Sequence, residues 1–234
     1  MALEPPPQGD VGLAQSLRQF FEAFERPLSR REILSSDGNR KVARFYTRYE
    51  DNYIDFGVRA FFEEIACFQT EEGKPFTYRV HWTGRLSPLF VILIPGLTGR
   101  CESLALQECI LLDHGFTTIV FNPRGIGDNS DLPRSFGVLE ANDILKLVFE
   151  MRQRLGSRAR AGVFGVCIGA AMALEAATRS SLIDAIVVEG TYIHPARIFA
   201  RLSPYVLNEI QSTSKALKVS YDAVAPSIFC SRFP

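Results

Sequence analysis

The sequence predicts an α/β fold, a mostly parallel sheet with helices packed on both faces. Three observations predict it. From about residue 76, short apolar runs alternate with amphipathic stretches in the order strand, helix, strand, helix, strand, helix, strand. The runs LFVILIP (89–95) and TTIVFN (117–122) are continuously apolar, as strands buried on both faces must be. Gly115 and Gly156 follow the last periodic residues of two amphipathic stretches, where a chain leaves a helix.

Taken in order, residues 1–10 hold three consecutive prolines and read as a disordered tail. Residues 11–74 read as an N-terminal helical and aromatic extension packed on the core. Leu17, Phe20, Phe21 and Phe24 share one helical face. A polar and aromatic stretch, 28–57, carries a turn at SSDGN. Val58, Phe61, Phe62 and Ile65 then predict a second short helix over 58–67. The aromatics of this region, among them Phe45, Tyr46, Tyr49, Tyr53 and Phe56, supply either extra core or the cap of an apolar pocket.

Residues 75–234 form the main unit. FTYRVHW (76–82) alternates as a strand. Helices are expected over about 102–114 and 137–155, the latter with Ile144, Val148, Met151 and Leu155 on one stripe. AGVFG (161–165) is a short strand, 168–179 an alanine-rich helix, and IDAIVVEG (183–190) a further strand. After Gly190, PARIFARLSPYVLNEIQSTSKAL can make helices, and APSIFCSRFP has no strong pattern.

Composition narrows the function. The chain has 234 residues, 47% of them hydrophobic, and 26 Lys plus Arg against 26 Asp plus Glu. A net charge of zero supplies no global field for nucleic acid or an anionic membrane. The five cysteines (Cys67, Cys101, Cys109, Cys167 and Cys230) form no C-x-x-C pair, and with three histidines they offer no zinc pattern. Odd, scattered cysteines fit a reduced, cytoplasmic chain. The N-terminus lacks a signal-peptide core, and no apolar run is long enough to span a bilayer. No P-loop and no G-x-G-x-x-G occurs, so no cofactor is expected.

The stretch VFGVCIGAAMALEAA (163–177) has the punctuation of a nucleophile elbow, with cysteine at its centre. Such an elbow turns so tightly from strand to helix that its flanks must be small. Gly165 and Gly169 stand two residues either side of Cys167, followed by Ala170 and Ala171. The helix N-terminus favours an anion there, and the Ile168 amide is placed to donate to an oxyanion. LIPGLTGR (93–100) ends an earlier strand in a glycine-rich turn, making the Leu97 amide the natural second donor. In FNPRGIGDNS (121–130), Arg124 is expected to bond surrounding carbonyls and brace the site, while Asp128 reads as a solvated loop carboxylate. The competing reading makes Cys167 a small core residue and the glycines ordinary turn chemistry.

PGLTG (95–99), VFNPRGIG (120–127) and GVCIG (165–169) together resemble the α/β-hydrolase superfamily. The resemblance is to the branch of mammalian α/β-hydrolase-domain lipases, bacterial YheT-type hydrolases and yeast ethyl-ester-forming acyltransferases. It covers about residues 75–190, with a weak extension at VSYDAV (219–224). It implies a small acyl-ester or lipid-like substrate, Cys167 at the nucleophile position, and the amides of Leu97 and Ile168 as oxyanion donors. In dienelactone-hydrolase-type relatives a cysteine serves in a similar elbow.

The resembled family places its acid and histidine after the next two strands. The chain is expected to lack those strands, leaving an incomplete core. The histidines His81, His114 and His194 all fall outside the expected place and read as structural or surface residues. A cysteine without a base implies a reactive thiol with poor turnover. The alternatives are a non-catalytic hydrolase-fold binding protein and a redox-sensing thiol. The strand AIVVEG becomes an apolar edge, inviting self-association unless the apolar segment 196–219 folds over it.

Overall fold

The computed structural model describes residues 29–49, 52–84, 87–97 and 99–191. Eight strands form one sheet: β1 (Ser29–Asp37), β2 (Arg40–Tyr49), β3 (Asn52–Gln69), β4 (Pro75–Trp82), β5 (Leu89–Ile94), β6 (Thr117–Val120), β7 (Arg160–Val166) and β8 (Ala185–Glu189). Their order across the sheet is β1-β2-β3-β4-β6-β5-β7-β8. Strands β6, β5, β7 and β8 are parallel, and β1 to β4 join them as an antiparallel series through the β4–β6 pair. Among the described residues three α-helices alternate with the last four strands: α1 (Ala105–Asp113), α2 (Val138–Leu155) and α3 (Ile168–Arg179).

Handedness decides which face each helix covers. The step from β5 to β6 runs one way along the sheet, and the steps from β6 to β7 and β7 to β8 run the other way. Right-handed crossovers therefore put α1 on one face and α2 with α3 on the other. The apolar stripe of α2, Ile144, Leu147, Val148 and Met151, is buried against Phe90, Ile92, Ile119 and Val163 of the sheet. Across the sheet, Leu93, Leu104 and Val120 form a second cluster with Leu111 and Phe164 against it.

The helix expected over 58–67 is not formed. These residues belong to the 18-residue strand β3, and 28–57 supplies β1 and β2. The periodic signal misled because both faces of β3 carry apolar residues. Phe61 is buried with Ala43, Phe45 and Cys109 on the α1 side, while Phe62 is half-buried on the other side. Val58 and Ile65, counted toward the helical stripe, stand exposed. The expected turn at SSDGN joins β1 to β2, where Gly38 adopts φ +54. The helix expected at Leu17 and Phe20, the expected tail 1–10, and everything after Thr191 lie outside the described residues.

Buried charges pin the antiparallel strands to α1. His81 of β4 is fully buried. Its Nδ1 meets Glu108 of α1, and its Nε2 lies 3.0 Å from Glu63 of β3. Arg31 of β1 donates to both oxygens of Glu108 at 2.9 and 3.0 Å. Four elements thus meet in one charge-paired cluster, as buried charges require. The hydrogen bond from His81 holds the Glu63 carboxyl down at about 2, against its ordinary 4.5. Burial alone would raise Glu108, but Arg31 and His81 outweigh it and keep it low.

A depressed carboxylate contributes stability above its unfolded value and loses it as pH falls toward the folded one. Urea unfolding should therefore show the Glu63 contribution intact at neutral pH and lost between about 4.5 and about 2. Glu63→Gln should cost on the order of 1–3 kcal/mol at neutral pH and almost nothing at the acid end. An equal cost at both ends would mean the carboxylate charge is not the cause.

Candidate active site

Cys167 stands between the end of β7 and the start of α3, with φ 55 and ψ −114. Only one other non-glycine among the described residues, Phe136, has a positive φ. This conformation costs on the order of 1–3 kcal/mol and persists only where its surroundings enforce it. They do so on both sides. The Cys167 amide donates to the Glu189 carbonyl of β8 at 2.8 Å, and its own carbonyl accepts from the amides of Ala170 and Ala171 at 3.2 and 3.3 Å.

The flanking glycines are a matter of space. A Cβ on Gly165 would strike the backbone of Gly169 and come within 2.7 Å of the Ala170 nitrogen. A Cβ on Gly169 would strike the Ile94 carbonyl and lie 2.6 Å from that of Pro95. The first turn of α3 therefore lies directly against the end of β5. The thiol of Cys167 is free, and the residue is exposed rather than part of the core. Among the described residues the thiol has no hydrogen-bond partner, and no group of side chains suits a metal ion.

The glycine-rich turn after β5 faces the elbow. Gly96 accepts from the Gly99 amide at 3.1 Å, closing the turn. A Cβ built on Gly96 would lie 3.6 Å from that of Cys167. Leu97 and Ile168 border one small cavity of about 10 Å³, together with Gly96 and Arg124. The residues expected at Cys167, Leu97, Ile168, Gly165, Gly169 and Arg124 thus come together at the carboxyl ends of β5, β6 and β7.

Arg124 braces the loop after β6, but not by bonding carbonyls. Its partners are carboxylates: Asp143 of α2 at 2.6 and 2.9 Å, and Glu72 of the β3–β4 turn at 2.6 and 3.2 Å. A guanidinium only 2% exposed needs opposite charge, which carbonyl dipoles do not supply. Burial opposes its charge, yet the bonds from Asp143 and Glu72 keep the Arg124 pKa above its ordinary range. The Arg124 bond in turn holds Glu72 down at about 2. Asp128, expected as a solvated carboxylate, is exposed and also pairs with Arg79 at 2.6 Å.

Two positioning residues escaped the sequence reading. Asn122 accepts from the Cys101 amide at 3.1 Å, tying the loop after β6 to the turn after β5. Asn129 bonds the Asn122 carbonyl at 2.6 Å and both backbone groups of Thr77. Their only signal was asparagine amid glycines, which also marks ordinary turns. His81 is spent in the buried cluster. His114 is exposed and bonds the Ile110 carbonyl at 2.8 Å at the end of α1. His194 lies outside the described residues.

Two substitutions test the elbow by equilibrium unfolding. Cys167→Gly should stabilise the chain by about 1 kcal/mol, because glycine tolerates this backbone. Gly169→Ala should cost about 3 kcal/mol or more, because its Cβ meets backbone that cannot yield. A destabilised Cys167→Gly chain would contradict the strained geometry.

A family model described as alpha/beta hydrolase fold matches residues 90–215, more than half of the chain. No curated protein sequence matches it. Among solved structures, an esterase of Pyrococcus furiosus is 20% identical with a TM-score of 0.52, the match covering 66% of this chain and 62% of that one. A 2,6-dihydroxy-pseudo-oxynicotine hydrolase is 18% identical with a TM-score of 0.52, over 69% of this chain and 48% of that one. A puromycin hydrolase mutant is 16% identical with a TM-score of 0.55, over 82% and 35%. The chain thus spans less than two thirds of the length of each, and likeness at these identities concerns the fold alone. The matched region includes the parallel strands, the glycine-rich turn and the elbow, and the chain belongs to the α/β-hydrolase fold family.

Proposed function

We propose that this chain acts on carboxylic esters of small acyl or lipid-like type, with Cys167 as nucleophile and the amides of Leu97 and Ile168 as oxyanion donors. The observation that carries this reading is the exposed thiol, without a bonded partner among the described residues, held at φ 55 against the glycine-rich turn. A buried structural cysteine needs neither exposure nor strain.

The chemistry is thioester formation. The thiolate attacks the acyl carbonyl and a C–S bond forms. The carbonyl oxygen gains charge facing the two amides. The C–O bond to the leaving alkoxide then breaks, and the alkoxide takes up the proton that the thiol gave to solvent. Water must attack the thioester to complete a turnover. No base among the described residues stands bonded to Cys167, so acylation outruns deacylation in this reading and turnover is weak. Among the described residues no helix is long and apolar enough to cross a membrane.

The test is intact-mass measurement after incubation with short and medium acyl esters of p-nitrophenol. Wild type should gain one acyl group, mapped to Cys167 by peptide digestion, and hold it for longer than the acylation takes. Cys167→Ala should gain none. Cys67, which is also exposed, serves as the internal control. Labelling of Cys67 and Cys167 at equal rates would remove the nucleophile reading and leave a binding protein or a redox thiol.

A further inference from the structure

We infer that Phe136 is a positioning residue for the ester chemistry: it packs behind the turns that carry the Leu97 and Ile168 amides and sets the spacing between them. This rests on the reading of those two amides as oxyanion donors.

Among the described residues only Cys167 and Phe136 hold a positive φ without being glycine, and Phe136 borders the cavity that Leu97 and Ile168 share. Its φ of 56 is enforced from both sides by one carboxylate. The buried Glu140 accepts from the Ser135 amide at 2.8 Å and from the Gly137 amide at 2.9 Å. It also accepts from the Ser135 hydroxyl, whose oxygen in turn accepts from the Leu139 amide at 2.6 Å. The amides before and after Phe136 thus converge on one group, and the chain between them must turn back sharply. Glycine would take this backbone without strain. What phenylalanine adds at such a position is its ring.

That ring is buried. Phe136 is 1% exposed and belongs to one core cluster with Ile168 and Met172, against which Leu97 packs. The cavity of about 10 Å³ beside it is lined by Gly96 and Leu97 from the turn after β5, and by Ile168 and Met172 from α3. Such a volume holds about one water at most. The two donor turns are therefore kept apart by side chains, not by solvent. Oxyanion donors act only when they are fixed in place beforehand, and a misplacement of about 1 Å can slow a reaction on the order of a hundredfold. Without the ring, a void would lie between the two turns and they could relax into it.

The test compares two reactions of Cys167 in the full chain, followed by intact mass and peptide digestion. Acylation by p-nitrophenyl acetate uses the oxyanion donors. Alkylation by iodoacetamide expels iodide from a saturated carbon, builds no oxyanion and uses neither amide. Phe136→Ala should slow acylation about thirtyfold and Phe136→Leu about threefold, while alkylation stays within about twofold of wild type in both. Glu140→Gln, which loses one acceptor beside Phe136, should slow acylation about fivefold with the same selectivity. Far-UV circular dichroism checks folding, and Phe136→Leu carries the comparison if the alanine variant does not fold. Acylation and alkylation that fall together would show a merely structural role and overturn the inference. Wild type that is never acylated at Cys167 fails the ester reading, and this inference with it. Wild type and Phe136→Ala acylated at equal rates fail this inference alone.

Discussion

The site depends on a tight backbone contact between the first turn of α3 and the end of β5, at Gly169 against the carbonyls of Ile94 and Pro95. Nothing larger than hydrogen fits there. The close approach forces the chain to leave β7 and enter α3 within a single residue, and Cys167 absorbs the turn in a conformation that side chains normally avoid. The same contact sets the glycine-rich turn of β5 beside the thiol. Strain, exposure and the neighbouring backbone are therefore one feature seen three ways.

Around that contact the protein uses charge where an apolar core would not hold direction. Arg124 draws α2 and the β3–β4 turn onto the loop after β6. His81, Glu63, Glu108 and Arg31 draw the outer strands onto α1. Each cluster joins elements far apart in sequence, and each is buried enough that a missing partner would leave a charge without compensation. Asn122 and Asn129 do the same with neutral bonds, fixing the two loops that face the elbow. Among the described residues the site is thus held by its surroundings and not by partners of the thiol itself.

The central parallel strands, their helices and the elbow were legible in sequence because each is a local pattern. Continuous apolar runs, a 3.6-residue stripe and paired glycines report on residues close together in the chain. The antiparallel strands were not. Phe61 and Phe62 are buried to different degrees on opposite faces of β3, so alternation vanished and a helical spacing took its place. The partners of Arg124 were equally hidden, since Glu72 and Asp143 lie 52 and 19 residues away.

By itself the sequence determined the fold class and the position of the thiol at a strand-to-helix turn. Both follow from steric rules that act within a few residues, and glycine spacing writes them plainly. Only the tertiary structure decided which carboxylates neutralise Arg124, which ones bond His81, and which strands join the sheet ahead of β4. Those outcomes depend on which distant surfaces meet, and pairing between distant groups leaves no periodic trace in the chain.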